Sequence, residues 1–234
     1  MQITKIGNVY QLAFMPRFFP VNCYFVEEED ELTLIDTALP YSYKNILDAA
    51  KKINKQITRI LLTHAHNDHV GSLDALKERL PHVPVYISRR DSLLLKGEVG
   101  LEPDEPNTPI RGGVPKKIST IPDILLEDGV QVGSLLTITV PGHTPGSLAF
   151  FDTRNNALIA GDALQTRGGI AVSGQLNPWF PFPAMATWNK EIALNSAKKL
   201  LALHPSILAT GHGKMIRNPY NLMNKAIQRG QKNT

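Results

Sequence analysis

The chain has 234 residues, of which 42% are hydrophobic and 20% are charged, and its formal net charge is +4. This composition is typical of a folded globular protein and excludes a disordered chain. The positive charges are spread along the sequence, with only short pairs such as Lys51-Lys52, a pattern typical of a solvated surface and not of the dense basic stripe of a nucleic-acid groove.

The sequence also indicates where the protein works. No apolar run approaches the roughly 20 residues that a membrane-spanning helix needs, and the N-terminus lacks the basic and apolar regions of a signal peptide. The single cysteine, Cys23, excludes an intramolecular disulfide and fits a reducing compartment. We therefore expect a cytoplasmic protein that binds neither nucleic acid nor a membrane. One large domain over residues 1–234 is expected at this length, and the oligomeric state is not determined.

Short β-like runs alternate with helical ones along the chain. An early antiparallel pair is predicted from residues 3–14 and 22–27, and further strands at residues 32–36, 59–62, 84–87, 125, 135–140, 148–151, 157–160 and 207–210. Helical spacing of apolar side chains predicts helices at residues 41–53, 69–80, 89–96, 187–203 and 220–228. Residues 97–117 and 165–186 are rich in glycine and proline and are predicted to be irregular. A loop as long as the first is usually functional or disordered in a compact domain.

Two pairs of segments resemble each other within the chain. Residues 34–39 resemble residues 158–164, and residues 60–64 resemble residues 207–212. The similarity is either chance between buried strands or the mark of two similar sheet halves. In the second case, each half would deliver ligands from its strand ends into one seam.

A dense run of metal-ligand residues follows the predicted strand at 59–62. Its sequence is Thr63-His64-Ala65-His66-Asn67-Asp68-His69. One residue separates His64 from His66, so both side chains point the same way on an extended backbone and can reach one ion. Asp68 and His69 begin a predicted helix, which can aim them at a neighbouring ion.

Three further candidate ligands stand beside glycines, and these are His143, Asp162 and His212. Glycine allows the backbone to turn tightly beside an ion. Nitrogen and oxygen ligands in this number suit zinc, iron or manganese and can hold two ions. Two adjacent metals can bind one water and lower its pKa toward neutrality, which produces a hydroxide nucleophile. By contrast, His82 and His204 lie in no such pattern and are predicted to be structural or exposed.

The order His-X-His-X-Asp-His, then Gly-His, Gly-Asp and Gly-His, resembles the metallo-β-lactamase fold superfamily from Asp36 to His212. The resemblance implies an α/β fold, an αββα sandwich of two mixed sheets with helices on both outer faces. The implied ligands of a first metal are His64, His66 and His143. Those of a second metal are Asp68, His69 and His212, with Asp162 bridging both.

The details of the pattern distinguish branches of this superfamily. The bridging Asp162 and the histidine at position 69 are similar to the glyoxalase II-like hydrolases, whereas antibiotic-cleaving members lack that aspartate. Quorum-quenching lactonases often carry a tyrosine three residues beyond it, where this chain has Gln165. The resemblance implies a hydrolase with two zinc ions, or iron or manganese instead, that cleaves a small-molecule ester, lactone or thioester through a metal-bridging hydroxide. Asp68 would also handle a proton, and Asp36 would lie beside the ligands.

Two other functions remain open at this point. Persulfide dioxygenases resemble the same family and use one iron on a subset of these ligands, so a mononuclear iron persulfide dioxygenase is the main alternative. A metal-bound binding or scaffold protein ranks last, because such descendants usually lose ligands that this chain retains.

Three segments are predicted to cover the metals, at residues 14–20, 97–117 and 179–183. Their aromatic residues either pack in the core or form a hydrophobic mouth over the polar centre. Such a mouth favours an uncharged or partly apolar ester, lactone or thioester. Arg17, Arg167 and Lys214 are either solvated surface residues or binders of a substrate anion.

Overall fold

A computed structural model describes residues 1–116 and 118–232, and Lys117, the last residue of the predicted loop at 97–117, lies outside them. The first sheet has seven strands in chain order. These are β1 (Gln2–Ile6), β2 (Val9–Phe14), β3 (Val21–Glu27), β4 (Glu31–Ile35), β5 (Gln56–Leu61), β6 (Val85–Ser88) and β7 (Ile124–Leu126). Strands β1 to β4 pair antiparallel and β4 to β7 pair parallel. The parallel connections contain helices α1 (Tyr43–Ile53), α2 (Asn67–Val70), α3 (Leu73–Arg79) and α4 (Arg89–Leu95).

The second half of the chain builds a second mixed sheet. The strands of this half of the chain are β8 (Gln131–Val132), β9 (Leu135–Thr139), β10 (Leu148–Asp152), β11 (Ala157–Ile159), β12 (Leu164–Gln165), β13 (Ala171–Val172), β14 (Ile207–Ala209) and β15 (Ile216–Arg217). Six of them form the order β15-β14-β11-β10-β9-β8, and β12 pairs with β13 separately. The helices of this half are α5 (Phe182–Met185), α6 (Lys190–Leu201) and α7 (Tyr220–Lys232). Within residues 1–116 and 118–232, no helix has the length and hydropathy needed to cross a membrane.

A shared apolar core holds the two sheets face to face. Tyr24, Ile35 and Leu61 of the first sheet belong to the same buried cluster as Phe150 and Ile159 of the second. Successive residues of a strand face opposite sides, so each sheet also has an outer face to bury. Helices α1, α3 and α4 cover the outer face of the first sheet, and α6 and α7 cover that of the second. The prediction of an αββα sandwich of two mixed sheets is confirmed.

The prediction of one continuous strand at 3–14 is wrong, because a turn divides this segment into β1 and β2. Gly7 adopts a φ of +58°, which glycine accepts readily, and Ile6 pairs with Val9 across the turn. Strands β8, β12, β13 and β15 are absent from the prediction. Each has two residues, too few to show a periodic pattern.

The predicted helix at 69–80 is also wrong in its continuity, since Gly71 and Ser72 separate α2 from α3. The Gly71 N–H donates to the Ala38 carbonyl at 2.9 Å. The Ser72 hydroxyl donates to the Leu39 carbonyl at 2.5 Å. The chain is therefore tied at this point to the loop after β4 instead of continuing as one helix.

The second irregular prediction, at 165–186, holds only in part, because β13 and α5 lie within it. The following helix was expected from residue 187 and begins at Lys190. The reason is the Asn189 side chain, whose oxygen accepts hydrogen bonds from two backbone N–H groups of the first turn. Asparagine is among the preferred residues for this capping position.

The internal similarity has a structural counterpart in the two sheets. Strands β4 and β5 are parallel neighbours in the first sheet, as are β11 and β14 in the second. The Asp36 N–H donates to the Leu61 carbonyl at 2.9 Å, and the Ala160 N–H donates to the Ala209 carbonyl at 2.8 Å. The matching geometry supports two similar halves over chance similarity.

Candidate metal centre

All seven predicted ligands lie at one edge of the sandwich, where strands of both sheets end. The segment after β5 contributes His64, His66, Asp68 and His69. The second sheet contributes His143 after β9, Asp162 after β11 and His212 after β14. Sheet topology therefore brings together residues that are far apart in the sequence, at the strand ends where α/β proteins commonly bind ligands.

The seven residues form three overlapping groups that could hold metal ions. Within each group, one ligand atom per residue lies within 4.8 Å of the others. The groups are His64, His66 and His143; His64, His69 and Asp162; and Asp68, His69 and His212. The first and third are the ligand sets that the sequence pattern implies, and the second joins them.

The Asp162 carboxylate lies between the two sets. Its Oδ2 is 3.4 Å from Nε2 of His143 and 3.2 Å from Nε2 of His212. Its Oδ1 is 3.5 Å from Nε2 of His69. One carboxylate thus approaches histidines of both sets, which is the position that a bridging ligand requires.

Hydrogen bonds to residues outside the ligand set fix the orientation of the rings of His69 and His212. Nδ1 of His69 donates to the Asp36 carboxylate at 2.7 Å, and Nδ1 of His212 donates to the Pro20 carbonyl at 2.6 Å. Because a carbonyl or a carboxylate accepts, these contacts determine which ring nitrogen carries the hydrogen. The opposite nitrogen, Nε2, faces the cluster. Outer partners of this kind orient metal-binding histidines and increase their basicity.

His64 and His143 have hydroxyl groups as outer partners. Nδ1 of His64 is 3.0 Å from the Thr63 hydroxyl, which itself donates to Asp36 at 2.8 Å and so can accept from the ring. Nδ1 of His143 is 2.9 Å from the Ser173 hydroxyl. In both rings Nε2 is again the nitrogen left for the cluster.

The remaining histidine of the cluster, His66, is hydrogen-bonded to the long loop at 97–116. Nε2 of His66 donates to the Arg111 carbonyl at 3.0 Å, and Nδ1 faces Nε2 of His143 at 3.0 Å. Gly112 has a φ of +91°, and a Cβ at this position would overlap the His66 ring. Glycine therefore lets the loop backbone approach the ring closely enough to bind it.

The polar atoms that face the centre fit a metal cation. In the part of the chain that the structure describes, Nε2 of His64, Nε2 of His69 and Oδ1 of Asp162 are buried and lack a hydrogen-bond partner. Buried polar atoms without partners cost free energy. Imidazole nitrogens together with carboxylate oxygens are a ligand set of zinc, iron and manganese, so the residues present fit such ions.

Burial lowers the pKa of all three histidines in the first set. The pKa of His64 falls well below its ordinary value, that of His66 is lowered, and that of His143 falls to about 3. Metal binding requires neutral imidazole. These rings therefore present unprotonated nitrogen near neutral pH.

Carboxylates control the protonation of the second set. Burial lowers the pKa of His69 and His212, but Asp162 and its neighbouring carboxylates outweigh this effect and raise both values above normal. Burial raises the pKa of Asp162, but His212 and His69 outweigh it and hold that pKa well below its usual value. The field that attracts protons to these rings would equally attract a metal cation.

Several residues that no sequence motif marks lie behind the cluster. Thr187 places its hydroxyl 3.3 Å from Nδ1 of His143, beside Ser173. Asp91 is fully buried on α4, and burial raises its pKa to about 6. None of these residues stands in a ligand-like motif, so only proximity in the fold reveals them.

A cavity of about 790 Å³ lies over the cluster. All three segments predicted to cover the metals contribute to it, through Phe19, residues 112–116, Phe182 and Pro183. Phe180 is buried beside His212, whereas Phe182 is 51% exposed. The aromatic residues therefore divide between core packing and a hydrophobic mouth.

The three predicted anion-binding cations lie elsewhere. Arg17, Arg167 and Lys214 line a different cavity of about 980 Å³, and none of them lines the cavity over the cluster. This placement favours the surface interpretation. Of the two histidines outside the pattern, His82 is exposed and His204 is exposed and stacks on Tyr220 with ring centroids 4.7 Å apart.

Comparison with known proteins identifies a family and several relatives. The sequence pattern of the Metallo-beta-lactamase superfamily matches residues 16–212. The uncharacterized protein YobT of Bacillus subtilis (strain 168) is 60% identical over 99% of this chain and 100% of its own length. The probable metallo-hydrolase YflN of the same organism is 32% identical over 82% of this chain and 80% of its own. A hydroxyacylglutathione hydrolase of Aeromonas salmonicida (strain A449) is 28% identical, and the match covers 68% of this chain but only 53% of that protein.

Solved structures share the fold. The di-iron-bound form of TTHA1623 is 28% identical with a TM-score of 0.65, and the match covers 90% of this chain and 96% of that one. The DIM-1 metallo-beta-lactamase exposed to ceftazidime has a TM-score of 0.73 over 100% and 97% of the two chains. At 15% identity, the second likeness concerns the fold alone.

Proposed function

The chain belongs to the metallo-beta-lactamase superfamily, and from this premise we propose that it is a dinuclear metal-dependent hydrolase of a small-molecule ester, lactone or thioester. The observation that carries the proposal is the orientation of the five histidines. In each ring, one nitrogen makes a hydrogen bond to a residue outside the ligand set, which for His66 is Arg111 of the long loop. The other nitrogen faces a centre that contains Asp162. Such convergence of ligand atoms is expected of a catalytic metal site.

The residues divide between two ions. His64, His66 and His143 would hold the first, Asp68, His69 and His212 the second, and Asp162 would bridge them. When bound, the two ions would lower the pKa of a shared water toward neutrality and polarise the substrate carbonyl. The relative with a di-iron-bound structure makes iron the metal to test beside zinc, with manganese as a third.

Asp68 is the carboxylate best placed to move a proton. Its side chain is 28% exposed, compared with 3% for Asp162, and its Oδ2 lies 3.4 Å from Nε2 of His212. It therefore connects the centre to solvent in the cavity. We assign Asp68 the transfer of a proton from the attacking water to the leaving group, in addition to its place among the ligands.

Two relatives support hydrolysis as the reaction class. One is named a probable metallo-hydrolase and another a hydroxyacylglutathione hydrolase. Because the chain spans only about half of the second protein, its substrate does not transfer directly. The cavity is of a size suited to a small molecule, and we propose such a substrate in preference to a nucleic acid.

The test removes the bridging carboxylate. Asp162→Ala should abolish turnover of aryl esters, lactones and thioesters while circular dichroism shows the fold retained. Asp152→Ala is the matched control, because Asp152 is equally buried but bonds to Arg154 away from the centre. Unchanged turnover in Asp162→Ala would contradict the proposal.

Metal analysis separates the hydrolase from its alternative. Elemental mass spectrometry of the purified protein should find about two ions per chain, as a dinuclear site requires. About one iron per chain with no zinc, together with oxygen consumption in the presence of glutathione persulfide, would replace the hydrolase with the persulfide dioxygenase.

A further inference from the structure

The cavity over the metal centre has mainly apolar walls. Its larger apolar side chains are those of Phe19, Leu39, Val114, Ile118, Phe182 and Met185. Apart from the metal-ligand set, the described lining residues include one charged side chain, Lys116. A substrate with several charges would therefore find few partners here, whereas an apolar group would be covered.

The aromatic part of the wall is continuous from solvent to the ligands. The rings of Phe19 and Phe182 are 5.0 Å apart, and the Phe19 ring lies 5.5 Å from that of His212. At the outer end Phe182 is 51% exposed and Met185 is 66% exposed. Exposed apolar side chains beside a polar centre are typical of a binding surface that a ligand covers.

We propose that the substrate is an ester or thioester with a flexible apolar chain that lies along Phe19, Phe182 and Met185, and with an uncharged leaving group. This inference rests on the proposed hydrolase function and specifies its substrate class. The apolar chain of the substrate belongs either to the acyl group or to the alcohol, and the same wall would bind it in both cases. Burial of each methylene contributes up to about fourfold in kcat/KM.

Two series of substrates test the contribution of the apolar chain of the substrate. The first is the aryl acetate, butyrate, hexanoate and octanoate, and the second is the acetate esters of ethanol, butanol, hexanol and octanol. The value of kcat/KM should rise along at least one series by up to about fourfold per methylene until the chain passes the wall. A flat or falling dependence in both series would overturn the inference.

Paired variants locate the effect. Phe182→Ala should reduce turnover of the octanoyl or octyl ester more than that of the shortest ester, so the ratio between them falls. Trp179→Ala is the matched control, since Trp179 is 83% exposed on the same segment and does not line the cavity. An equal change of the ratio in both variants would contradict the assignment of the wall.

A thioester pair tests the leaving group. Hexanoyl thioesters of N-acetylcysteamine, which is uncharged, and of glutathione should be cleaved with at least equal kcat/KM for the uncharged thiol. A clear preference for glutathione would overturn this part of the inference. If no ester, lactone or thioester is cleaved, the shortest included, the proposed function itself fails. If cleavage occurs without the expected preferences, only this inference fails.

The buried carboxylate of Asp91 accepts hydrogen bonds from two separate loops beside the metal-ligand set. Oδ2 accepts hydrogen bonds from the Ala65 N–H at 2.9 Å and the Thr144 hydroxyl at 2.8 Å. Oδ1 accepts from the Gly146 N–H at 2.8 Å. Ala65 lies between His64 and His66, and Thr144 follows His143. One carboxylate thus connects the two loops, from different sheets, that carry the first ligand set.

The geometry assigns Asp91 as the positioning residue of the first metal set. An asparagine cannot replace it, because each carboxylate oxygen accepts a backbone N–H. Whichever way the amide is turned, its NH₂ group faces one of these donors. The two loops would then separate locally, which spreads His143 from its partners. Outer residues of this kind typically contribute about 10- to 100-fold in metal affinity.

The test measures metal affinity at each set separately. Asp91→Asn should weaken one of two metals by about 10- to 100-fold in chelator competition. Added to His66→Ala, it should cause little further loss, whereas added to His212→Ala it should weaken the metal that remains by the same factor. Thr144→Val removes one of the three contacts and should have a smaller effect in the same direction, which covers the case that Asp91→Asn does not fold.

The control is Asp152→Asn, which disturbs an equally buried carboxylate away from the centre. Both Asp→Asn variants are expected to lower the melting temperature, but only Asp91→Asn should lose metal affinity. Wild-type affinity for both metals in Asp91→Asn, or an equal loss at both sets, would overturn the assignment.

Discussion

The close approach of Gly211 to the metal centre gives a sharp prediction. This residue precedes His212, and a Cβ built on it would overlap the Asp162 carboxylate and lie 2.5 Å from Cε1 of His69. Ordinary contact begins at 3.4 Å. Gly211→Ala must therefore displace the His69 ring by about 0.9 Å, the difference of these two distances, and must displace the Asp162 carboxylate as well, or else move its own backbone away from both.

The displacement determines the expected loss. Metal–ligand distances tolerate only about 0.2 Å, and misplacing a catalytic group by about 1 Å costs about 100-fold in rate, which equals about 2.7 kcal/mol. We expect Gly211→Ala to lose at least one metal per chain after dialysis and about 100-fold in turnover. The second set is affected most, since the overlap involves Asp162 and His69.

The assay combines elemental mass spectrometry, turnover of an aryl ester and thermal unfolding. The matched control is Gly100→Ala, because nothing lies within 4 Å of a Cβ at Gly100. Metal content is independent of the proposed substrate, so it tests the geometry alone. Full metal content and full turnover in Gly211→Ala would refute the reasoning.

Three further predictions concern groups around the centre. Asparagine, like aspartate, accepts the φ of +59° at position 36, and Asp36→Asn removes the charged acceptor of the His69 ring. Affinity for one metal should then fall about 10- to 100-fold in chelator competition, and unchanged affinity would contradict the role of this hydrogen bond. Trp188→Phe removes the indole N–H that donates to the Thr108 carbonyl at 2.9 Å, so the free energy of unfolding should fall by about 1–3 kcal/mol in urea, while the exposed Trp179→Phe should leave it unchanged. Burial raises the pKa of Glu105, but the hydrogen bonds from Arg90 and the Glu102 N–H, with the positive charges of Arg90 and Arg89, together outweigh it and lower the pKa. The stabilisation is thus complete above the unfolded pKa of about 4.3 and is lost as pH falls through the folded value. The difference in unfolding free energy between wild type and Glu105→Gln should shrink on acidification, and a constant difference would exclude this contribution.

Local patterns explain why much of the fold is predictable. The strand at 32–36 and the helices at 41–53 and 89–96 agree with β4, α1 and α4 within about two residues, the usual uncertainty of element ends. Their apolar periodicity is a local property that survives in the fold. The errors arise where distant contacts intervene. The break between α2 and α3 depends on the Ala38 carbonyl, which no local pattern of residues 69–80 contains.

The candidate site shows the same division. The sequence by itself determines the candidate ligand types and the local pairs, because His64, His66, Asp68 and His69 lie within six residues. The order of the later motifs also indicates that three other segments supply the rest. These features are covalent neighbours or short motifs, so they need no knowledge of the fold.

Only the tertiary structure decides which nitrogen of each ring faces the centre. The outer partner of His212 is the carbonyl of Pro20, 192 positions away, and that of His143 is the Ser173 hydroxyl, 30 positions away. The connecting role of Asp91 and the apolar wall at Phe19 and Phe182 arise in the same way. Each depends on loops from separate strands meeting at one edge, and their meeting is determined by sheet order and by the core between the sheets.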